Sequence, residues 1–138
     1  MDHYEKFWCA VDLLVEANEQ FRERLKDEKW FNMLGPVGYA MEMATVHVNP
    51  NRRAGKTEYI KDHAQLGDLI VVHDPAMTRF YSDVAETVTG FQAKRCAGRY
   101  NRIYVDEPWL VFKDIRVDDF YTALCKDADQ TFIFLGRN

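Results

Sequence analysis

The sequence predicts an α/β domain of three layers, with a parallel sheet of about four core strands flanked by helices and preceded by a long amphipathic helix. Three observations lead there. Short apolar or β-branched runs at 44–49, 68–73, 102–106 and 131–135 alternate with segments of helical periodicity, the order of strand-helix-strand units. The run Leu69-Ile70-Val71-Val72 has no polar break, as expected of a strand covered on both faces. With 138 residues, 47% of them apolar, the chain has material for one core and is short for two, so a single domain over 1–138 is expected.

The elements follow in order. From Asp2 to about Lys29, Tyr4, Phe7, Val11, Leu14, Val15, Phe21 and Leu25 recur at helical spacing, which predicts one long helix. Its charged side, with Glu5, Asp12, Glu16, Glu19, Arg22, Glu23, Lys26 and Asp27, is expected to face solvent. Gly35-Pro36-Val37-Gly38 is a turn signal closing this helical extension, 1–34, and 38–43 fits no single period. Ala44 to Val48 reads as a strand entering the Asn49-Pro50-Asn51 turn. A helix is expected over 57–65 and a strand over 68–73. Asp74 followed by Pro75 is a capped helix start, and that helix is expected to reach about Val88. Phe91 to Tyr100 is basic and reads as a loop or short edge element. The strand at 102–106 is halted by Glu107-Pro108, residues 114–127 carry weak helical periodicity, and 131–135 forms the last strand.

Charge and cysteine usage narrow the classes of function. Eighteen Lys and Arg against 22 Asp and Glu leave a formal net charge of −4, so any attraction to nucleic acid or an anionic membrane must come from a local patch. Cys9, Cys96 and Cys125 match neither a disulfide framework nor a zinc site, and free thiols in a reducing compartment are expected. The first residues do not resemble a signal peptide and no apolar run approaches a membrane span, so a cytoplasmic location is expected, the host cytoplasm if the gene is viral.

Two motifs carry chemistry. Between a predicted strand and a predicted helix lies Pro50-Asn51-Arg52-Arg53-Ala54-Gly55-Lys56-Thr57, the context a phosphate-binding loop requires. There the backbone N–H groups at a helix start surround an anion, Gly55 lets backbone approach phosphate, Lys56 places its ammonium on the β- and γ-phosphates and Thr57 offers a hydroxyl to Mg²⁺. Pro50 stands where the usual pattern has its first glycine. The second motif, Asp106-Glu107, ends an apolar strand, where the ligand crevice of an open parallel sheet lies. A carboxylate there suits Mg²⁺ and a second suits activation of water, roles that fall to Asp106 and Glu107.

Together the motifs resemble those of P-loop NTPases of the additional-strand branch, whose acidic strand ends in Asp-Glu. The resemblance covers roughly Ala44 to Gly136, so that 44–138 would be the nucleotide-binding core. An arginine-bearing loop before Ala-Gly-Lys-Thr is similar to that of the ATPase domain of bacteriophage large terminase subunits, with helicase cores as neighbours. The resemblance implies Mg²⁺-dependent binding and hydrolysis of ATP linked to DNA packaging or other nucleic-acid processing. It implies nucleotide contacts from Asn51, Arg53, Ala54, Gly55, Lys56 and Thr57, and Mg²⁺ coordination by Thr57 and Asp106. Catalytic roles would fall to Glu107, Lys56 and a loop arginine, Arg52 or Arg53, and a polar sensor to Arg137 or Asn138. Large terminases and helicases bring a nuclease or second lobe that this sequence does not contain, so a homo-oligomer or protein partner is expected. The alternative is a degenerate P-loop domain acting as a non-catalytic interaction or inhibitor protein. A nucleotide kinase fits less well, because no arginine-rich lid follows the third predicted strand.

Lys94, Arg95, Arg99 and Arg102, with Phe91 and Tyr100, form a candidate nucleic-acid patch, weighed against a solvated loop balanced by nearby acids. His47, His63 and His73 lack metal-ligand spacing, and Trp8, Trp30 and Trp109 are expected in the core.

Overall fold

The computed structural model describes residues 3–25, 28–50 and 55–137. It is an α/β protein with five parallel strands, β1 (Thr45–Val48), β2 (Leu69–Val72), β3 (Glu86–Thr89), β4 (Arg102–Asp106) and β5 (Thr131–Leu135), in the order β1-β5-β4-β2-β3. Seven helices accompany them: α1 (His3–Arg24), α2 (Glu28–Met43), α3 (Lys56–His63), α4 (Thr78–Tyr81), α5 (Gly90–Ala93), α6 (Pro108–Val111) and α7 (Val117–Leu124). None of the described helices is long and apolar enough to cross a membrane.

Period-2 alternation divides the sheet into two buried faces. Ile70, Val72, Tyr104, Ile133 and Leu135 pack with Phe7, Val11 and Val15 of α1, Tyr59 and Ile60 of α3 and Tyr81 of α4. On the opposite face Leu69, Val71, Ile103, Val105, Phe132 and Phe134 pack with Tyr39 and Ala40 of α2, Val111 of α6 and Phe120, Tyr121 and Leu124 of α7. The connection after β1 thus leaves by one face and that after β4 by the other, with β5 between them. At such a reversal the two connections diverge and leave a crevice beyond the carboxyl ends of the strands.

The fifth strand corrects the expectation of one helix from Pro75 to about Val88. Asp74 does cap a helical start, its carboxylate accepting from the Ala76 N–H, but only a 3-10 turn (Pro75–Met77) and the single turn of α4 follow. The β-branched Thr87-Val88-Thr89 then pairs with β2, and Thr89 caps α5 in a capping box with Gln92. The segment 38–43 is helical. α2 breaks at Gly35 (φ 76°, ψ 165°) and resumes with Pro36, so the Gly-Pro signal marks a kink within the helical region.

The first helix also departs from its expected faces. Phe7, Val11 and Val15 are buried as the periodicity predicts, but the stripe continues through Asn18 and Arg22, while Leu14 and Phe21 are exposed. Arg22 is buried at 8% exposure, donating to Asn18 Oδ1 (3.0 Å), the Ala128 and Gln130 carbonyls (2.9 and 2.8 Å) and the Thr131 hydroxyl. Glu19 accepts from both Arg102 Nη2 (2.6 Å) and Nε (3.2 Å) and from Thr131 Oγ1 (2.8 Å). This cluster ties the end of α1 to the start of β4 and β5. Of the tryptophans, Trp8 is half-buried and packs against the core on the α1 face, Trp109 is half-buried and Trp30 is 39% exposed.

Candidate functional site

The crevice is built from the residues that begin α3 and end β4. Gly55 precedes α3 in the left-handed region (φ 81°, ψ 32°), a conformation glycine adopts without a Cβ clash. Gly55 at the N-cap has no side chain to offer, and among the described residues no side chain caps the helix. Lys56, the first helical residue, turns its ammonium across the crevice to form an ion pair with Glu107 Oε1. The two side chains are 19% and 22% exposed, which keeps the pair substantially screened from water. Burial holds the Lys56 ammonium below the usual lysine range, with Asp106 pulling the other way.

Glu107 is held from every side. Its φ of 58° is the one positive value at a non-glycine residue among the described residues, a conformation that costs about 1–3 kcal/mol and persists only where neighbours over-determine it. They do so here. Its N–H donates to the Leu135 carbonyl (2.9 Å), and Oε2 accepts from the Trp109 indole (3.1 Å) and from the Arg137 N–H (3.4 Å). Lys113 and Arg137 both lie over the Trp109 ring, 4.6 and 5.6 Å from its centroid. Gly136 makes the room. A Cβ there would stand 2.6 Å from Glu107 Oε2 and 3.1 Å from its Cα, and its φ of 129° disfavours any side chain. Gly136→Ala is therefore expected to lower stability by about 1–3 kcal/mol, measured by urea unfolding, and to release the Lys56–Glu107 pair. An unchanged midpoint would show that Glu107 is not tightly seated.

Asp106 lies deeper, 2% exposed. Burial pushes its carboxyl up, the Tyr81 hydrogen bond and the charges of Lys56 and His73 pull it down, and Glu58 pushes it up again. Tyr81 donates to Asp106 Oδ2 (2.9 Å), and burial raises the Tyr81 hydroxyl while the Thr57 side chain pulls it down, so the tyrosine lies between the two residues expected to share a metal. The His73 Nδ1, at the end of the neighbouring strand β2, is buried without a partner.

The structure thus gathers Gly55, Lys56, Thr57, Asp106 and Glu107 in one crevice and brings Arg137 to its rim, its guanidinium on Trp109. Asn51, Arg52, Arg53, Ala54 and Asn138 lie outside the described residues. Of the basic segment, Arg102 is paired with Glu19, Arg99 with Asp127, and Lys94 lies 3.9 Å from Asp119. His47 is an exposed strand residue whose Nε2 lies 2.8 Å from the Gly136 carbonyl. Sequence reasoning missed Trp8, Tyr81, Trp109 and Gly136 as parts of the site. For Trp109 a signal existed, since Pro108 at a helix start places it one turn from the acidic pair. For Tyr81 none did.

A cleft of about 870 Å³ lies at the opposite end of the strands, between the end of α1, α2 and the loop after α7. Arg22, Trp30, Phe31 and Lys126 are among its lining residues, and the Arg22 guanidinium is already hydrogen-bonded within the protein. Among the described residues no group of three or more His, Cys, Asp or Glu is placed to hold a metal. A hydroxyl and a carboxylate such as Thr57 and Asp106 are a smaller, oxygen-only set, of the kind that holds Mg²⁺ together with water and phosphate. The chain matches no family model, no curated protein and no solved structure.

Proposed function

We propose that the protein binds ATP at this crevice and hydrolyses it to ADP and phosphate with Mg²⁺. The observation that carries the reading is the ion pair of Lys56 and Glu107, drawn together across β5 from two distant segments, with Glu107 in a strained backbone conformation. The N–H groups of the first turn of α3 and the Lys56 ammonium supply the charge that phosphates require. Triphosphate would take Lys56 from Glu107 and leave that carboxylate free to orient a water and accept its proton as the water oxygen bonds to the γ-phosphorus and the bridging oxygen departs. Thr57 and Asp106 would hold Mg²⁺, which supplies charge to offset that building on the phosphate oxygens.

Calorimetric titration with Mg-ATP tests the reading. Saturable binding is expected for the wild type and its loss in Lys56→Ala. A titration without heat at about 1 mM nucleotide, the upper end of common enzyme KM values, would remove it.

The second reading, a non-catalytic interaction protein, is favoured by the apolar side chains left on the outer faces of the first two helices. Leu13, Leu14 and Phe21 of α1, and Met33 and Met41 of α2, are 45–67% exposed. It is the reading that remains if calorimetry is silent.

A further inference from the structure

The N-terminal helix lies outside the stretch that resembles a nucleotide-binding core, yet it reaches the loop. Trp8 Nε1 donates to the Gly55 carbonyl at 3.3 Å. One turn further along, Asp12 Oδ1 accepts from the Tyr59 hydroxyl (2.7 Å) and lies 3.1 Å from His63 Nε2. Tyr59 and His63 stack at 3.8 Å between ring centroids, and the Trp8 ring meets both edge-on at 5.7 and 5.6 Å. Residues 8 and 12 on α1 therefore meet Gly55 at the start of α3 and Tyr59 and His63 on it, a seam that advances four residues at a time along both segments.

Its first stitch acts on the peptide that opens α3. The Gly55 carbonyl accepts the first helical hydrogen bond, from the Tyr59 N–H at 2.8 Å, as well as the Trp8 indole. In a trans peptide the carbonyl and the following N–H point in opposite directions. Fixing the Gly55 carbonyl along the helix axis thus aims the Lys56 N–H out of the helix start, toward the crevice. With a glycine at the N-cap, which rotates freely and supplies no side-chain cap of its own, the indole adds a second restraint beside the Tyr59 N–H on the peptide whose rotation would turn this donor away.

Resting on the nucleotide reading above, we infer that Trp8 is a positioning residue for the Gly55–Lys56 peptide that opens α3, so that α1 is a working part of the site and not an appended helix. Trp8→Phe keeps a ring against Tyr59 and His63 and deletes the N–H. It is expected to raise the Kd for Mg-ATP about fivefold, the size of one net hydrogen bond, with the protein still folding cooperatively and its unfolding midpoint lowered only slightly. The chain has three tryptophans, so its indole ¹⁵N–H signals can be assigned with Trp8→Phe, Trp30→Phe and Trp109→Phe. Adding Mg-ATP to the wild type is expected to shift the signals of Trp8 and Trp109, which touch Gly55 and Glu107, and to leave Trp30 still. A shift of Trp109 with Trp8 stationary overturns the inference and leaves the nucleotide reading standing, as does an unchanged Kd in Trp8→Phe. No shift at any indole overturns both.

Discussion

Glu107→Gln is expected to lower Mg²⁺-dependent ATP hydrolysis by about 100- to 10,000-fold, the usual contribution of a positioned general base, while nucleotide still binds. The amide keeps the shape of the carboxylate and can still accept from the Trp109 indole, but it cannot take a proton from water. It also removes the negative partner of Lys56, so the ammonium no longer has to be drawn away from an ion pair before it meets phosphate. Affinity is therefore expected to hold or improve. Lys56→Ala removes the phosphate partner instead, and both binding and turnover are expected to fall. A phosphate-release assay on the three proteins separates these outcomes. Equal activity in all three would mean that hydrolysis belongs to a contaminant or lies elsewhere on the protein.

Arg22→Ala is expected to cost about 1–3 kcal/mol of stability, because it strands the buried acceptors that the guanidinium satisfies. The carbonyls of Ala128 and Gln130 would lose their donor, and Glu19 would lose a neighbouring positive charge. The cost should appear as a lower urea midpoint and a fall in Tm on the order of 4 to 12 °C. A loss under about 1 kcal/mol would show that water replaces the guanidinium. The acid limb carries a second mark of the cluster. Burial raises the Glu19 carboxyl, but hydrogen bonds from Arg102 and Thr131 and the charges of Arg102 and Arg22 hold it below its ordinary value of 4.5. A carboxyl lowered by folding contributes stability that is complete above pH 4.5 and is lost as pH falls through the lowered value. Without Arg22 that contribution shrinks, so the variant's stability should fall less steeply with acid.

How much of the site was legible follows from how each part is encoded. Gly55-Lys56-Thr57 and Asp106-Glu107 could be read because each lies within a few residues at a strand or helix boundary, where local chemistry sets the conformation. Tyr81 reaches Asp106 over 25 positions and Gly136 clears room for Glu107 over 29, and neither separation leaves a local pattern. The third strand was misread for a related reason. The Asp74-Pro75 start favours a helix, but the edge of β2 offers Thr87, Val88 and Thr89 a ladder of hydrogen bonds that local propensity cannot anticipate.

Burial of the first helix shows the same division. Its apolar spacing correctly placed Phe7, Val11 and Val15 against the sheet, yet the helix goes on to bury Arg22 and half-bury Glu19. A charged side chain enters an interior only where acceptors converge on it, and those of Arg22 come from Ala128, Gln130 and Thr131 at the far end of the chain.

From its own residues, then, the chain determined an α/β class, one continuous apolar strand after another, and polar, glycine-bearing segments following two of them. Apolar periodicity and backbone preference act over a few residues, and that is the range they could specify. Tertiary structure alone decided the order β1-β5-β4-β2-β3, which carries the Lys56 and Glu107 connections to opposite faces of the sheet and lets the two side chains meet over β5. It also decided that Trp8 touches the loop, since strand order and the packing of α1 on β1 and β5 are settled by the whole core at once.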